Sequence, residues 1–368
     1  MRNYFIHALL FISIFMSISC KPSKQYHFLV GTYTESTKSE GIYSYSINID
    51  DECFEAIYIE KDIENPSFLS FSEDKKKLYA VSELGINSSV FSFFFDTKTG
   101  KLERINSIPL PGSDPCYVAS SGKHVITANY SSGSISVVEQ DESDGLHNIV
   151  QEIKHSGSSI DSTRQTKPHV HQALFSPDMR FVFTNDLGTD FVTSYFYHPD
   201  SEIVLQACDS IKLKAGSGPR HLVFNTKGDR AYVLQEMDGT LSVLSVNEGK
   251  MQLLQETSIA LNQDSENGAA DIYLSPDNRF LYASNRGQEN TITCFSVSED
   301  GRLNFVEQIS TEGIGPRNFA LSPDGKYVFV ANQKSDEIVI FKRDKESGKL
   351  SDTTKRIKVY SPVCIAFY

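Results

Sequence analysis

The amino-acid sequence predicts an all-β fold, a seven-bladed β-propeller in which each blade is a sheet of four antiparallel strands. Three observations predict this fold. A strand–turn–strand motif recurs along the chain at intervals of roughly 50 residues. No segment has the apolar periodicity of a convincing amphipathic helix. The two ends of the chain hold complementary parts of one further copy of the motif, which indicates a closed ring.

Six copies of the motif follow one another along the chain. The four clearest copies read "PSFLSFSEDKKKLYAVSE" from Pro66, "PRHLVFNTKGDRAYVLQE" from Pro219, "AADIYLSPDNRFLYASNR" from Ala269 and "PRNFALSPDGKYVFVANQ" from Pro316; weaker copies start at Pro115 and Val170. In each copy a strand of alternating apolar residues is followed by a polar turn and a second strand rich in Val, Phe, Tyr and Leu. Two further short strands follow most copies, so we expect four strands per blade.

The chain ends complete the seventh blade. The segment "PVCIAFY" from Pro362 supplies only a first strand, whereas "HFLVGTY" from His27 and "GIYSYSI" from Gly41 correspond to a second and a third strand. Rings of six or eight blades are the alternatives, but the end segments are complementary rather than redundant. Pairing of the two termini would also remove the strand edges that a linear array exposes.

The first 20 residues are predicted to be a signal peptide. Arg2 precedes an apolar run from Ala8 to Ile18 that is too short to span a bilayer. The sequence "SISC" resembles a bacterial lipobox, so we expect Cys20 to be lipidated and to anchor the protein to a membrane facing the periplasm. Because Ser17 stands where Leu is usual, a plain cleaved signal, an uncleaved anchor or a cytoplasmic protein stays possible. Residues 21–25 form a short linker, and residues 26–368 form a single propeller domain.

Composition excludes several classes of partner. The net charge of -12 repels nucleic acid and anionic membrane surfaces, and no basic block interrupts it. We therefore expect contact with a membrane only through the lipid. Five further cysteines are widely spaced and include no CxxC pair, so we interpret them as small buried side chains rather than a zinc site or a disulfide framework. They are Cys53, Cys116, Cys208, Cys294 and Cys364.

The repeat alignment indicates a site at one mouth of the channel. Because the strands are antiparallel, the start of each first strand and the end of each second strand lie at the same mouth. The first strands place there Ser67, Cys116, His171, Arg220, Ala270, Arg317 and Val363. The second strands end in a uniform column of hydroxyls and amides, which we expect to satisfy backbone groups. These are Thr32, Ser82, Asn129, Asn185, Gln235, Asn285 and Asn332.

The next column varies from blade to blade, as a functional site would. It contains Tyr33, Glu83, Tyr130, Asp186, Glu236, Arg286 and Gln333. The stretch "KPHVH" carries two extra residues; its His171 falls in register with Arg220, and its His169 lies in the insertion. We predict that His171, Arg220, Glu236 and Arg286 converge, which suits chemistry on an anionic or carbonyl substrate.

Less specific interpretations of these residues remain. The arginines could form ordinary ion pairs at the rim, and a histidine on a strand could simply pack. His169, His171 and Glu236 could hold a metal, but the flanking arginines would oppose a cation electrostatically. We therefore predict no metal and no cofactor.

Four stretches of the chain resemble the seven-bladed propeller lactonase family. They are "PHVHQALFSPDMRFVFTNDLGTD", "GSGPRHLVFNTKGDRAYVLQEMDGTLSV", "YLSPDNRFLYASNRGQENTI" and "GPRNFALSPDGKYVFVANQKSDEIVIF". The family includes the bacterial propeller-type 6-phosphogluconolactonase and is similar to the fungal 3-carboxy-cis,cis-muconate lactonizing enzyme. The resemblance implies the same four residues, through "PHVH" (His171), "GPRH" (Arg220), "VLQE" (Glu236) and "SNRG" (Arg286).

The resemblance implies a metal-independent lactone hydrolase of carbohydrate metabolism that acts on a small sugar lactone. Arg220 or Arg286 would polarise the carbonyl, and either His171 or Glu236 would activate water. We expect further contacts to sugar hydroxyls or a phosphate from His169, Arg317, Asn285 and Asn332. The alternatives are a cycloisomerase acting on carboxylated muconates and a non-catalytic binding platform. The export signal conflicts with a cytosolic phosphogluconolactone, so we expect a lactone outside the cytosol.

Overall fold

The computed structural model describes residues 24–51, 53–141, 145–260 and 266–368. These residues form seven antiparallel sheets of four strands each, so the predicted seven-bladed propeller is confirmed. The one helix in this part of the chain is a 3-10 turn at Gly85–Asn87. The described residues contain no helix that is long and apolar enough to cross a membrane. The predicted signal peptide at 1–20, the lipidation site Cys20 and linker residues 21–23 lie outside the described residues.

The strands are numbered in chain order, and blade 1 is the blade that closes the ring. Blade 1 contains β1 (Gln25–Thr32), β2 (Ile42–Asn48), β3 (Ala56–Glu60) and the last strand β28 (Pro362–Phe367). Blade 2 contains β4 (Leu69–Phe71), β5 (Lys77–Ser82), β6 (Ser89–Asp96) and β7 (Lys101–Pro109). Blade 3 contains β8 (Pro115–Ser120), β9 (His124–Asn129), β10 (Ser134–Asp141) and β11 (Gly145–Lys154).

The remaining four blades follow the same pattern. Blade 4 contains β12 (Val170–Phe175), β13 (Phe181–Asp186), β14 (Phe191–Tyr197) and β15 (Leu205–Lys212). Blade 5 contains β16 (Pro219–Phe224), β17 (Arg230–Gln235), β18 (Thr240–Asn247) and β19 (Lys250–Ser258). Blade 6 contains β20 (Ala269–Leu274), β21 (Phe280–Asn285), β22 (Thr291–Val297) and β23 (Leu303–Ser310). Blade 7 contains β24 (Pro316–Leu321), β25 (Tyr327–Asn332), β26 (Glu337–Arg343) and β27 (Leu350–Lys358).

The ring closes as the sequence predicts. In blade 1 the strand order is β28, β1, β2, β3, so the C-terminal strand is the inner strand and the N-terminal strand pairs beside it. The pairing is antiparallel, from Phe28 opposite Phe367 to Thr32 opposite Pro362. The ring of Phe367 also contacts that of Phe329 in blade 7, with centroids 5.1 Å apart. The terminal strand therefore joins two blades.

The apolar core lies between the blades. It consists of seven clusters, and each cluster draws its buried side chains from two neighbouring blades. Between blades 1 and 7, for example, the ring of Phe28 lies 5.2 Å from Tyr45 and 5.3 Å from Phe329, centroid to centroid. Because every blade buries both faces, the sheets hold one another in register around the channel.

The polar turn of the motif has a physical reason. In the turn at Ser322 the hydroxyl donates to Asp324 Oδ1 over 2.7 Å and accepts from the amide of Tyr327 over 3.0 Å. Gly325 follows at φ 65°, where a residue without a side chain is favoured. The same turn at Ser176 carries Met179 at φ 59° instead, a conformation that costs about 1 kcal/mol. The departure affects the turn and lies at the opposite end of the strands from the channel mouth described next.

Bulges at the start of the inner strands aim side chains into the channel. The pairing register shifts between Val170 and Gln172 in blade 4 and between Pro219 and His221 in blade 5. Similar shifts occur at the start of β8, β20 and β24. A bulge leaves one residue out of the ladder and turns its side chain. His171 and Arg220 are such residues.

Candidate active site

The two predicted sets of strand ends meet at one mouth of the channel. They surround a cavity of about 300 Å³, a size typical of small-ligand sites. Its lining is Glu83, Asp114, Cys116, Tyr130, Ser131, Arg164, His171, Arg220, Glu236, Arg286 and Arg317. The four residues proposed as catalytic from the sequence therefore lie together. Their catalytic roles remain a prediction.

Glu236 is the centre of the charged cluster. Its Oε2 accepts a hydrogen bond from Arg220 Nη1 over 2.6 Å and pairs with Arg286 Nη2 at 3.0 Å. Its Oε1 accepts from Arg164 Nη2 over 2.8 Å. The carboxylate is buried, and Arg220 has only 4% of its side chain exposed. One carboxylate thus holds three guanidinium groups around the cavity.

The backbone fixes two of these arginines from the other side. Arg220 Nε donates to the carbonyl of Ala270 over 2.8 Å, and Arg286 Nε donates to the carbonyl of Gly268 over 2.9 Å. Both acceptors lie at the entrance to blade 6. Because each guanidinium is held at two points, its remaining N–H groups have fixed directions.

Electrostatics set the charge states of this cluster. Burial alone would raise the pKa of the Glu236 carboxyl, but Arg286, Arg220 and the other neighbouring cations outweigh burial and hold that pKa well below its usual value. Burial and the charge of Arg220 lower the pKa of Arg286 to about 9. Glu236 is therefore ionised at neutral pH, and its basicity is weak.

His171 is neutral and its tautomer is defined by its neighbour. Burial, together with the charge of Arg220, lowers the pKa of His171 well below its usual value. Its Nε2 contacts Arg220 Nη1 in a short hydrogen bond. A guanidinium can only donate, so Nε2 carries the lone pair and Nδ1 carries the proton. The ring thus presents a basic nitrogen to the arginine cluster.

A second polar group lies across the cavity. Arg317 Nη2 donates to the hydroxyl of Tyr33 over 2.9 Å, and its guanidinium lies over the Tyr33 ring at 5.3 Å. The Tyr33 hydroxyl donates in turn to Glu83 Oε2 over 2.6 Å. The hydroxyl of Ser67 donates to Glu83 Oε1 over 2.7 Å. Arg317 therefore lines the cavity as predicted, held by a tyrosine and close to a carboxylate.

Arg164 lines the cavity but was not identified from the sequence. It belongs to the loop between β11 and β12, where the side chain of Gln165 is fully buried and binds the carbonyl of Leu187 over 2.8 Å. Asp161 Oδ1 accepts the amide of Arg164 over 2.8 Å and fixes the turn. The guanidinium also reaches the Tyr130 hydroxyl over 3.2 Å. With 45% of its side chain exposed, Arg164 lies at the edge of the cavity.

Three residues proposed as substrate contacts are not brought to the cavity. His169 stacks on Tyr130 with ring centroids 4.5 Å apart, and its Nδ1 lies 3.0 Å from the Tyr130 carbonyl. Asn332 is fully buried and donates to the carbonyl of Thr311 over 3.1 Å. Asn285, also buried, accepts the amide of Gly268 over 3.0 Å. His169 therefore packs against Tyr130, and its role as a substrate contact stays a prediction.

The two asparagines follow the structural interpretation of their column. Thr32 and Ser82 likewise donate to the carbonyls of Gly41 (2.6 Å) and Glu64 (2.7 Å), and Asn185 donates to that of Arg220 (3.2 Å). Five members of the uniform column therefore bind backbone groups, whereas Asn129 and Gln235 bind serine hydroxyls. From the variable column, Glu83, Tyr130, Glu236 and Arg286 line the cavity. Asn285 and Asn332 therefore do not line the cavity, and their role as substrate contacts stays a prediction.

The structure also bears on the predicted state of the cysteines and on the alternative of a metal site. The five described cysteines are free thiols, and burial raises the pKa of Cys116, which lines the cavity. Cys53 is exposed and Cys208 is partly exposed, so the interpretation as buried side chains holds only for the other three. Within the described ranges, no group of three or more His, Cys, Asp or Glu side chains could hold a metal ion. The absence of a cofactor remains a prediction.

The fold and the cavity together define a class of protein. It is a β-propeller with an arginine-rich site for a small molecule at one mouth of its channel. Comparison with known sequences is more specific. The chain belongs to the lactonase family of seven-bladed β-propellers, whose family model matches residues 27–367.

Individual relatives agree with this membership. A 6-phosphogluconolactonase of Formosa agariphila is 35% identical over 338 residues, covering 90% of this chain and 96% of that protein. A 6-phosphogluconolactonase of Bacillus subtilis is 33% identical over 345 residues, covering 92% and 97%. The solved structure of a periplasmic gluconolactonase of Pseudomonas aeruginosa has 36% identity and a TM-score of 0.89, covering 94% of this chain and 99% of that one. The family resemblance of the motifs is confirmed.

Proposed function

We propose that the protein is a lactone hydrolase that opens a sugar lactone with water and without a metal ion. The observation that carries the proposal is the presence, in one cavity, of a neutral imidazole at His171 beside the fixed cations of Arg220 and Arg286. Lactone hydrolysis needs a base that activates water and donors that stabilise charge on the carbonyl oxygen. The cavity supplies both.

His171 is the base in this proposal, and Glu236 positions the arginines. His171 is neutral at pH 7 and carries its lone pair on Nε2. Glu236 is ionised, but both of its oxygens are already engaged by arginines, which lower its basicity. This difference in basicity supports His171, of the two bases that the sequence left open.

The first step forms a tetrahedral intermediate. A water molecule attacks the carbonyl carbon while His171 Nε2 accepts one of its protons. Arg220 Nη1 occupies that nitrogen in the free protein, so this one contact must lengthen when the lactone binds, while Glu236 and the carbonyl of Ala270 keep the guanidinium in place. Arg220 and Arg286 then donate to the carbonyl oxygen as it gains negative charge.

The second step opens the ring. The intermediate collapses with cleavage of the bond between the carbonyl carbon and the ring oxygen. His171 Nε2 returns its proton to the departing ring oxygen, which becomes the hydroxyl of the hydroxy acid. The histidine is neutral again, and the new carboxylic acid loses its remaining proton to solvent, which leaves the carboxylate product facing the arginines.

The charge of the cavity favours an anionic substrate. Its lining contains four arginines and three carboxylates, a surplus of one positive charge, in a chain whose net charge is -12. Arg317 remains the proposed phosphate contact. The half-exposed Arg164 is a second candidate, because an arginine at the edge can reorient towards a phosphate.

The same charge surplus supports a second candidate, a cycloisomerase that orients substrate carboxylates with the arginines. The two functions differ in whether water is consumed. Lactone opening that releases acid supports the hydrolase. Formation or opening of a carboxylated muconolactone, without hydrolysis of sugar lactones, would favour the cycloisomerase. A non-catalytic platform would do neither.

Export as a lipoprotein is also part of the proposal. The apolar run from Ala8 to Ile18 and the lipobox-like end at Cys20 support it, and one similar structure is that of a periplasmic gluconolactonase. The substrate would then be a lactone outside the cytosol. Fractionation and mass spectrometry of the native protein test this, with Cys20→Ser as the variant that should release it from the membrane. Full-length protein in the cytosol with unmodified Cys20 would disprove export.

The arginine assignment is tested with purified protein and a lactone assay. Arg220→Ala should lower kcat by on the order of a hundredfold or more, since it removes an oxyanion donor. Arg220→Lys keeps the charge but loses the forked geometry, so its rate should lie between the two. The control is Arg180→Ala, which removes an exposed arginine paired with Glu248 and should leave the rate unchanged. Equal rates for Arg220→Ala and wild type would refute the assignment.

A further inference from the structure

A buried histidine–aspartate pair lies next to His171, deeper in the channel. His221 follows Arg220 on the inner strand of blade 5, and Asp271 lies at the equivalent place in blade 6. His221 Nδ1 is 2.7 Å from Asp271 Oδ1, and the side chains are 6% and 5% exposed. Neither residue lines the main cavity, and the proposed reaction does not use either of them directly.

The proton positions of this pair follow from its neighbours. Asp271 Oδ1 also accepts the amide of Ile272 over 3.0 Å, and Oδ2 accepts a short hydrogen bond from Asn318 Nδ2. A carboxylate that only accepts requires His221 Nδ1 to be the donor. In the neutral ring, Nε2 of His221 is then an acceptor.

The two neighbouring histidines carry complementary groups, a donor on one ring and an acceptor on the other. His171 Nδ1 is a donor, because Arg220 occupies Nε2, and His221 Nε2 is an acceptor. Both atoms are buried and have no hydrogen-bond partner. The rings lie 5.2 Å apart, centroid to centroid, at an angle of 67°. A buried donor and a buried acceptor without partners are each costly unless a water satisfies them.

The structure has room for such a water. Both histidines line a cavity of about 10 Å³, which is about the space that one water molecule needs. The water would accept from His171 Nδ1 and donate to His221 Nε2. Its remaining contacts would come from the polar lining of this part of the channel, which includes Ser67, Glu83 and Asn318.

We propose that Asp271 and His221 are positioning residues that act on His171 through one buried water. The inference rests on the proposed function of His171 as the base. The chain Asp271, His221, water and His171 fixes the proton of His171 on Nδ1 and so keeps the lone pair on Nε2. When Nε2 takes a proton from the attacking water, the chain also stabilises the imidazolium, as a buried aspartate does for a catalytic histidine.

The surroundings of His171 show why such support matters. The groups that face it are Arg220, Arg317, His221, Glu236, Glu83, Tyr130 and Cys116. Those that face His221 are Asp271, Arg220, Arg317, Tyr117 and Phe68. Two arginines oppose a charge on His171, and Glu236 is shared among three cations. Glu83 lines the same small cavity, but both of its oxygens are engaged by Tyr33 and Ser67. Asp271 is the carboxylate that reaches His171 through His221 and the water.

The first test uses the wild-type protein and needs no activity. Nitrogen-15 NMR of the histidine rings should show His171 and His221 both protonated on Nδ1 at pH 7. A crystal structure at high resolution should show one water within hydrogen-bonding distance of His171 Nδ1 and His221 Nε2. Protonation of His171 on Nε2, or a dry gap between the rings, would overturn the inference.

The second test follows the pH dependence of the reaction. His221→Phe keeps the ring and removes the acceptor, so kcat should fall by on the order of tenfold or more with KM unchanged. The acid limb of its pH–rate profile should move to lower pH, because the imidazolium loses its stabilising chain. His221→Gln restores an acceptor oxygen and should recover part of both effects. The control is His124→Phe. His124 is a buried histidine of blade 3 that bonds to the Tyr197 hydroxyl, and its replacement should leave the pH–rate profile unchanged.

These outcomes separate the inference from the proposed function. An active wild type with an unshifted acid limb in His221→Phe would refute the role of the pair and leave the lactonase proposal intact. A wild type without lactonase activity would refute the proposed function, and the NMR and crystallographic results would still decide whether the chain of hydrogen bonds exists. If His221→Phe does not fold, His221→Gln and Asp271→Asn carry the kinetic comparison.

Discussion

Replacing Glu236 with glutamine removes the charge that holds the arginine cluster together. The substitution keeps the size and the planar end of the side chain. It leaves Arg220 and Arg286, with 4% and 18% of their side chains exposed, without the carboxylate oxygen that both contact. Arg164 loses the same partner, but it is half exposed and water can replace the carboxylate.

The expected loss of stability follows from this burial. Removing one partner of a buried ion pair costs about 3–5 kcal/mol, because the other charge remains buried and uncompensated. Both buried contacts of Glu236 use the same oxygen, at 2.6 Å and 3.0 Å. The loss for Glu236→Gln should therefore lie in that range, and the pKa of Arg286, already about 9, should fall further.

The assay is urea unfolding followed by intrinsic fluorescence or circular dichroism. Glu236→Gln should lower the free energy of unfolding by about 3–5 kcal/mol. The double variant with Arg286→Gln also removes one of the stranded cations and should recover about 0.5–3 kcal/mol of that loss as coupling energy. Glu248→Gln breaks the exposed pair with Arg180 and should have no measurable effect. Unchanged stability in Glu236→Gln, or strict additivity in the double variant, would refute the reasoning.

Three further predictions follow from the fold and the cavity. Deleting residues 362–368 removes β28 and should abolish cooperative thermal unfolding by calorimetry, and a truncated protein that melts as sharply as the full chain would contradict the closure. Burial lowers the pKa values of His171 and His221, so the folded protein binds fewer protons at these rings than the unfolded chain does. Their contribution to stability is therefore complete above about pH 6.5 and is lost as the pH falls below it. The free energy of unfolding should fall by up to about 1.4 kcal/mol per pH unit for each histidine. Urea unfolding from pH 7.5 to 5.5 should show a shallower loss in His171→Phe than in wild type, whereas equal slopes would mean that His171 is protonated in the folded protein. Arg317→Ala should reduce kcat/KM on 6-phosphogluconolactone more than on plain gluconolactone, and an equal loss on both would show that Arg317 has a structural role.

The repeat in the sequence was sufficient to predict the fold, because each copy carries the polar residues that form its own turn. The turn at Ser322 binds its own backbone, and counting back five residues from such turns reaches the channel-facing position in each blade. That counting placed His171, Arg220 and Arg317 correctly. The bulges that turn these side chains into the channel could not be predicted, because they depend on the pairing of two strands rather than on one.

The cavity differs in two ways from the one that the sequence predicts. Asn285 and Asn332 were proposed as substrate contacts although their column was uniform, and the structure uses them to hold rim loops. Arg164 was missed because it lies in a loop between blades, where the repeat gives no register. The extra length before β12 was the available signal, since an insertion at a channel mouth can reach over the cavity.

The central claim is that the cavity hydrolyses lactones with His171 as the base. The most direct test is a pH-stat measurement of acid release by the purified mature protein from phosphorylated and plain sugar lactones, alongside His171→Gln. The wild type should release acid well above the spontaneous rate on at least one lactone, and His171→Gln should be slower by about a hundredfold to ten-thousandfold. A wild type that does not exceed the spontaneous rate on any lactone, or a His171→Gln variant as fast as the wild type, would contradict the account.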